Sequence, residues 1–364
     1  MKYIDEFRDK KLIDRAAIRI REAAGDMSRT CAIMEVCGTH TMSIFRFGLR
    51  DILPASIRLI SGPGCPVCVT PNSFLDKAIA LANMKGVVVA TFGDMMRVPG
   101  SRSSLSEEKA KLADIRVVYS STDALEIARK NPRKEVVFLG VGFETTVPTV
   151  ASSIIAAKKE GIANYSVLSA HKTMPEVLAA LVKAKDLKVD GFILPGHVSV
   201  VIGSKPYEFL SLKFGKRCAV AGFEPLDILE AILMIITQKT PKVDVEYARL
   251  ISRCGNVAAQ KGIEKVFAKA DSEWRGIGSV KNSGLKIRKA FADFDAEKKF
   301  DIKIKPAKEN SSCACGDVLK GVKTPLECRL FGRMCTPEHP VGACMVSSEG
   351  TCAAYYKYRV KGNG

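Results

Sequence analysis

Cysteines are concentrated near the C-terminal end of this sequence. Six of its twelve cysteines lie in the last 52 of 364 residues, with the late four seven, nine and eight positions apart. Zinc ribbons favour paired Cys-x-x-Cys knuckles, which the late four lack. Thiolates from separate loops are typical of an iron–sulfur cluster, and a structural disulfide set is the alternative. Spacing does not determine which four bind. We favour Cys328, Cys335, Cys344 and Cys352, with Cys313 and Cys315 as an accessory pair.

A Cys-Pro-Val-Cys motif provides a second group of thiols. Cys65 and Cys68 follow an apolar strand pattern and precede a helical one. Cysteines three positions apart can close a disulfide at a first helical turn, and a helix N-terminus lowers the pKa of a thiol. These features predict a reversible dithiol. Half of a zinc site, or two buried thiols, are the alternatives.

A single thiol and an imidazole form a third candidate group. Cys37-Gly-Thr-His40 also follows a strand pattern. Cys37 and His40 suit a nucleophile with its base, or a soft metal ligand with a supporting imidazole. A packed thiol beside a capping threonine is the structural alternative. The residues alone do not separate these readings.

One glycine-containing loop offers a carboxylate. The segment 140–146 lacks the third glycine of the dinucleotide fingerprint and the Gly-Lys-Ser/Thr of a phosphate loop. We therefore interpret Glu144 as a carboxylate facing a cleft. His171 and His197 suit either such a cleft or ordinary hydrogen-bonded packing.

Composition limits the class of protein. About 47% of the residues are hydrophobic and 26% are charged, which supports a packed core. The N-terminus has no secretory signal pattern and no apolar run reaches the ~18 residues of a membrane span, so we expect a cytoplasmic protein. Cysteines in the cytoplasm stay reduced and more often serve metal binding or redox chemistry than structural disulfides. The net charge is +17, but the lysines are scattered along the chain among glutamates and form no dense basic run. We therefore expect neither a nucleic-acid nor a membrane partner.

Alternating patterns predict the architecture. Between residues 31 and 225, eight short apolar runs, many of them separated by helical patterns, predict parallel α/β sheets. The runs are Ala32–Val36, Ile57–Ile60, Val87–Ala90, Ile115–Tyr119, Val136–Leu139, Ser166–Leu168, Phe192–Leu194 and Ala219–Ala221. We expect two similar α/β domains, at residues 30–120 and 121–225, flanking a cleft. Residues 226–364 should form a helical, Cys-rich iron–sulfur domain, joined by an N-terminal helix within 1–29.

The polar motifs fall mostly after predicted strands. In open parallel sheets the carboxyl ends of the strands form the ligand crevice. Two domains whose strand ends face one cleft would bring Cys37, Cys65, Glu144 and His197 together. This placement predicts that the residues form a functional site and do not serve only a structural purpose.

These motifs resemble those of the hydrogenase maturation protein HypD over essentially the whole chain. The matching segments are Cys37-Gly-Thr-His-Thr-Met, Gly62-Pro-Gly-Cys-Pro-Val-Cys-Val-Thr-Pro71, Gly142-Phe-Glu-Thr-Thr-Val-Pro148, Ser169-Ala-His-Lys-Thr-Met-Pro175, Pro195-Gly-His-Val-Ser199 and the tail from Pro337 to Lys357. The resemblance implies a scaffold and redox factor for the Fe(CN)2CO centre of [NiFe]-hydrogenase. Its partners would be a HypC-type chaperone, a HypE-type cyanide donor and, indirectly, the hydrogenase large subunit.

The resemblance also implies roles for residues. Cys37 would bind the iron together with a cysteine of the chaperone, and His40 would support it. Cys65 and Cys68 would be the redox-active dithiol, and the tail would carry a [4Fe-4S] cluster as in ferredoxin:thioredoxin reductase. A stand-alone disulfide reductase is the competing function, but it leaves Cys37 and His40 without a task.

Overall fold

Parallel β-structure forms the centre of the molecule. The computed structural model describes residues 4–25, 27–184, 187–306 and 309–360. All eight predicted strands are present, and their ends lie within two residues of the prediction. The strands are β1 (Cys31–Glu35), β2 (Ile57–Ser61), β3 (Val87–Thr91), β4 (Ile115–Val117), β5 (Glu135–Gly140), β6 (Tyr165–Ser169), β7 (Gly191–Pro195), β8 (Arg217–Ala221), β9 (Val243–Val245), β10 (Phe267–Trp274) and β11 (Gly278–Ile287).

Helices connect most of these strands. The α-helices are α1 (Lys10–Gly25), α2 (Gly38–Arg46), α3 (Leu49–Ile52), α4 (Asn72–Ala82), α5 (Leu105–Ala110), α6 (Ser121–Lys130), α7 (Val147–Glu160), α8 (Met174–Leu181), α9 (Gly196–Ile202), α10 (Glu208–Phe214), α11 (Pro225–Thr237), α12 (Val257–Val266), α13 (Ala296–Lys299), α14 (Cys315–Leu319) and α15 (Thr351–Tyr355). No helix in the described ranges is long and apolar enough to cross a bilayer.

The strands form two parallel sheets and one hairpin. The first sheet has the order β2-β1-β7-β8-β9 and the second has the order β4-β3-β5-β6, with every pairing parallel. The antiparallel hairpin β10–β11 is a separate two-stranded sheet. Strands such as β3 are buried along their whole length, as expected when both faces of a parallel sheet are covered. The predicted α/β class is confirmed.

The two sheets do not follow each other along the chain. We expected one domain at 30–120 and the next at 121–225, but β3 to β6 form a sheet inserted between β2 and β7 of the first. The boundary at residue 120 therefore does not separate the sheets. The physical reason is that β1 pairs with β2 on one side and with β7 on the other, which brings the chain back after the insertion.

The segment expected to be helical, 226–364, is more varied. It contributes β9 to the edge of the first sheet and contains the hairpin β10–β11. The expected N-terminal helix is α1, and it packs against α11, which covers the first sheet rather than the Cys-rich tail. In the tail, α15 packs against α2, with the rings of Phe45 and Tyr355 4.5 Å apart.

A shared apolar core holds the sheets and the tail together. One cluster contains Leu139 of the second sheet, Val220 of the first sheet and Cys344 of the tail, all nearly or fully buried. Cys65 and Cys68 belong to the same cluster. The thiol motifs are therefore positioned by the core itself and not by surface loops.

Two isoleucines of α1 test how strongly this helix holds the first sheet. Ile20 is fully buried, whereas Ile18 is 49% exposed on the same helix. We expect Ile20→Ala to lower the free energy of unfolding by about 2–5 kcal/mol, because it leaves a cavity against α11. Ile18→Ala should change it by less than about 0.5 kcal/mol. Urea unfolding measured under anaerobic conditions compares them, and equal losses would contradict the packing.

Candidate functional site

Cys37 lies at the junction between β1 and α2. Its extended backbone (φ −145°, ψ 127°) makes it the residue that precedes the first turn of α2. Its side chain is only 7% exposed. Burial and the nearby charge of Glu349 raise the pKa of the Cys37 thiol to about 12, although the backbone N–H groups of His40 and Thr39 act in the opposite direction. The residue is therefore a protonated thiol at neutral pH until a cation replaces the proton.

A carboxylate from the tail lies beside Cys37. Thr39 Oγ1 donates a hydrogen bond to Glu349 Oε1 over 2.6 Å. A Cβ atom on Gly38 would lie 2.5 Å from Glu349 Cβ, so only glycine admits this approach. Burial raises the pKa of the Glu349 carboxyl. Sequence reasoning missed Glu349, although it is the one carboxylate between Cys344 and Cys352.

His40 is held in one orientation by the first sheet. Its Nε2 donates to the carbonyl oxygen of Gly222 over 2.8 Å, and the ring stacks on Phe223 at 4.8 Å. Because a carbonyl only accepts, Nε2 carries the hydrogen and Nδ1 is left as an acceptor. Nδ1 is buried and has no hydrogen-bond partner. Burial lowers the pKa of His40 to about 4, so the ring is neutral at physiological pH.

The Cys65–Cys68 pair is a disulfide in the loop whose Gly64 packs against Cys37. The two Cα atoms are 5.3 Å apart, and both side chains are buried. Gly38 N–H donates to Gly64 O over 3.0 Å, and a Cβ on Gly64 would lie 2.3 Å from the nitrogen of Cys37. The next helix, α4, begins at Asn72. The expected placement at a first helical turn is therefore wrong, since a turn holds the pair ahead of that helix.

The tail cysteines form one connected group. The thiols of Cys313 and Cys315 interact, as do those of Cys315 and Cys344 and those of Cys344 and Cys352. The predicted accessory pair thus adjoins the late cysteines directly. Cys335 lies within electrostatic range of Cys313, and burial raises the pKa of its thiol.

Cys328 occupies the outer part of this group. Its side chain is partly exposed, and it acts electrostatically on Cys335. Of the four predicted cluster ligands, Cys344 and Cys352 are therefore in direct interaction, and Cys335 and Cys328 extend the group outward. The structure brings all six tail cysteines into one region.

The donor set fits an iron–sulfur cluster. In the described part of the chain no three His, Cys, Asp or Glu side chains converge on one metal position. A [4Fe-4S] cluster does not need such convergence, because each of four thiolates binds a different iron. The backbone also comes close to the thiols, since a Cβ on Gly342 would lie 2.9 Å from Cys313 Sγ. The six tail thiols, most of them buried, can supply the four thiolates that such a cluster takes.

The disulfide and the tail thiols are neighbours. Cys68 Sγ lies 4.0 Å from the carbonyl oxygen of Ala343, the residue before Cys344. Arg275 connects the same two regions. Its backbone N–H and its Nε donate to Val69 O and Thr70 O, both over 2.9 Å, and its charge acts on Cys313 and Cys315. A buried cation therefore lies between the disulfide segment and the tail thiols.

The remaining predicted residues have other surroundings. Glu144 Oε1 accepts the backbone N–H of Met174 over 2.8 Å at the start of α8. His171 is fully packed beside Ser169, and burial lowers its pKa to about 3. His197 stacks on Phe223 at 3.9 Å, so it shares that ring with His40.

Comparisons with known proteins identify the family of this chain. The family model described as "Hydrogenase formation hypA family" (HypD) matches residues 11–359. The chain is 47% identical over 369 residues to the hydrogenase maturation factor HypD of Cupriavidus necator, covering 98% of this chain and 97% of that protein. Identity to HypD of Rhizobium leguminosarum bv. viciae is 48% over 369 residues, covering 98% and 96%. For HypD of Escherichia coli K12 it is 43% over 367 residues, covering 99% and 98%. The chain belongs to the HypD family of hydrogenase maturation factors.

Proposed function

We propose that this protein is a scaffold and redox factor on which the Fe(CN)2CO centre of [NiFe]-hydrogenase is assembled. Membership of the HypD family supports the general role in hydrogenase maturation. One observation carries the finer proposal: the disulfide loop packs on the backbone of Cys37 through Gly64, and the tail reaches the same turn through Glu349. A candidate iron ligand, a dithiol and a thiol group thus share one site.

Iron is the cargo of this site and Cys37 is its proposed anchor. A thiolate is a soft donor suited to iron that carries cyanide and carbon monoxide. Because Cys37 is a buried thiol, binding iron requires that its proton leaves. His40 offers a fixed, neutral ring with a free Nδ1 acceptor on the first turn of the same helix. A HypC-type chaperone would supply a second thiolate, and a HypE-type protein would supply the cyanide before transfer to the hydrogenase large subunit.

The tail thiols and the disulfide provide the redox part of the proposal. We assign Cys328, Cys335, Cys344 and Cys352 as the cluster ligands. A bound [4Fe-4S] cluster would supply electrons one at a time. Reduction of Cys65–Cys68 breaks the S–S bond, consumes two electrons and two protons, and gives two thiols. The contact of Cys68 with Ala343 sets the short path between the two groups, and reduced thiols suit a cytoplasmic location.

A disulfide reductase resembling ferredoxin:thioredoxin reductase is the second candidate. The same contact between Cys68 and the tail favours it. The reductase function assigns no role to the buried Cys37, to Glu349 beside it or to the oriented His40. The scaffold accounts for all of these residues and is therefore the better proposal.

Infrared spectroscopy separates the two candidates. The protein is purified anaerobically with its HypC-type partner, and the cyanide and carbonyl stretching region is recorded. We expect bands that disappear in Cys37→Ala while the tail cluster remains, because only the iron anchor is lost. Cys254→Ala, which removes an exposed cysteine, is the matched control and should keep the bands. A preparation that retains iron, partner and cluster but shows no bands would support the reductase.

The charge of Glu349 gives a prediction for the reactivity of Cys37. Glu349 raises the pKa of the Cys37 thiol, so Glu349→Gln should lower that pKa and increase the thiolate fraction at any pH below it. At pH 9 we expect iodoacetamide to modify Cys37 about three to ten times faster in the variant. Peptide mass spectrometry measures the rate. Glu338→Gln, an exposed carboxylate of the same tail, should leave the rate unchanged, and a slower reaction in Glu349→Gln would contradict the stated effect.

Serine substitution of each tail cysteine identifies the cluster ligands. We expect Cys328→Ser, Cys335→Ser, Cys344→Ser and Cys352→Ser each to reduce cluster iron and sulfide to less than about half of wild type, because a ligand is lost. Cys313→Ser and Cys315→Ser should retain both. Iron and acid-labile sulfide analysis measures the outcome. If instead Cys313→Ser and Cys315→Ser lose cluster iron and sulfide while Cys328→Ser and Cys335→Ser retain them, the assignment is wrong. The ligands would then be Cys313, Cys315, Cys344 and Cys352.

A further inference from the structure

One buried arginine has no assigned role in the proposed assembly site. Arg275 directly follows β10 and is only 6% exposed. Among the residues that the structure describes, it is the only arginine that is buried. A guanidinium stays charged in proteins, and a buried charge normally has a partner of opposite sign. The groups around Arg275 should therefore include one that carries or gains negative charge.

Hydrogen bonds use only part of Arg275. Its backbone N–H donates to Val69 O and its Nε donates to Thr70 O, both over 2.9 Å. Both acceptors are neutral carbonyls of the segment that follows the disulfide. Nη2 is buried without a hydrogen-bond partner, and Arg275 forms no ion pair with a carboxylate of the described residues. These hydrogen bonds hold Arg275 in place, but they do not balance its charge.

The backbone brings Arg275 next to the tail thiols. Gly276 follows Arg275 and Gly316 follows Cys315, and a Cβ on Gly276 would lie 2.1 Å from Gly316 Cα. The φ of Gly276 is +72°, a conformation that favours glycine. Arg275, Cys313 and Cys315 also line one cavity of about 360 Å³. The arginine and the two thiols therefore border the same space.

The charge of Arg275 acts on both of these thiols. The hydrogen bond with Cys315 and burial raise the pKa of the Cys313 thiol, whereas Arg275 lowers it. At Cys315 the hydrogen bond with Cys313 and the charge of Arg275 lower the thiol pKa, against the effects of Cys344 and burial. A positive charge has this effect because it stabilises the thiolate. Arg275 therefore favours negative charge at this position.

Other charges near the tail are exposed to solvent. Arg329, Arg333 and Lys323 are all exposed, so water and salt screen their effect on the thiols. Glu309 lines the same cavity as Arg275, but it is exposed as well. In the described part of the chain, Arg275 is thus the one buried cation that borders the tail thiols.

We propose that Arg275 is a positioning residue for electron transfer, because its guanidinium is the fixed counter-charge for the electron that the tail receives and raises the reduction potential there. The inference rests on the proposed function, in which the tail thiols hold a [4Fe-4S] cluster. One electron from a low-potential donor makes a thiolate-bound cluster more negative, and a buried cation stabilises that reduced state. Two such electrons, with two protons, then convert the S–S bond of Cys65–Cys68 into two thiols.

A redox titration of the anaerobically purified full chain tests the role of Arg275. Sodium dithionite reduces the cluster stepwise, and electron paramagnetic resonance records the reduced fraction. We expect Arg275→Gln to lower the equilibrium constant for one-electron reduction about tenfold, which corresponds to about 59 mV, because the counter-charge is lost. Arg275→Lys, which keeps the charge, should stay within about threefold of wild type.

Arg288→Gln is the matched control. Arg288 follows β11 at the opposite end of the same hairpin, and its Nε also donates to backbone carbonyls. Its substitution should leave the potential unchanged. The difference between wild type and Arg275→Gln should persist in about 1 M sodium chloride, because salt screens a buried charge much less than an exposed one.

Iron, acid-labile sulfide and melting temperature are measured for each variant. A wild-type potential in Arg275→Gln that keeps its cluster would overturn the inference and leave the proposed function intact. Equal shifts in Arg275→Gln and Arg275→Lys would also overturn it, since they would reflect a lost hydrogen bond and not a lost charge. Cluster loss from Arg275→Gln but not from Arg275→Lys would support the counter-charge. A wild-type protein without iron and sulfide would contradict the proposed cluster, and this inference with it.

Discussion

Close backbone approach at Cys37 is the constraint on which the site depends. Gly38 leaves room for Glu349 of the tail, and Gly64 leaves room for Cys37 itself. A Cβ at either position would lie 2.5 Å or less from its neighbour, a separation that side chains do not tolerate. Three segments distant in sequence, around residues 37, 64 and 349, can therefore share one point only because two of them present glycine. The apolar core then holds that arrangement, since it joins both sheets and the tail.

This crowding determines the protonation states of the site. Burial keeps Cys37 a thiol and His40 a neutral ring, and it favours the neutral form of Glu349. The thiol of Cys37 and the ring of His40 are thus uncharged at neutral pH, which suits their burial. A metal cation changes that balance, because it makes the thiolate of Cys37 the favoured form. In the proposed function, iron binding at Cys37 would therefore release a proton, because burial keeps the residue a thiol until the metal arrives.

Local patterns predicted the strands but not how they assemble. Short β-branched runs such as Val87–Thr91 are strands because they are buried on both faces, and that signal is contained in the run itself. The sheet to which a strand belongs depends on its pairing with strands distant in sequence. The insertion of β3 to β6 between β2 and β7 therefore cannot be recognised from the sequence of any single strand. Residues 243–253 lie within the segment 226–364, which was expected to be helical. Instead Val243–Val245 form an edge strand with β8, and the chain turns after it, which shows tertiary pairing overriding local preference.

The candidate site was predictable to a similar degree. Cys37, Cys65 and Cys68 follow the paired strands β1 and β2, and neighbouring strand ends of one parallel sheet lie together. Glu349 was missed because its partner Thr39 is 310 positions away and a lone glutamate in a tail has no distinguishing pattern. Glu144 was assigned to the same cleft as the thiols, yet its carboxylate caps α8 and lines a separate cavity. Position after a strand indicates which edge of a sheet a residue occupies, but not which of several pockets at that edge it faces.

In the proposed function, electron transfer between the tail and the disulfide would also have to satisfy charge balance. Reduction of Cys65–Cys68 adds two electrons at buried sulfurs, where thiolates are costly, so two protons must accompany them. The guanidinium of Arg275 supplies a fixed positive charge at this junction. Its backbone N–H and Nε are bonded to Val69 and Thr70, immediately after the dithiol, and it acts electrostatically on Cys313 and Cys315. A cation placed there stabilises added negative charge on either side. The same residue that fastens the hairpin to the disulfide segment would thus lower the electrostatic cost of the proposed electron transfer.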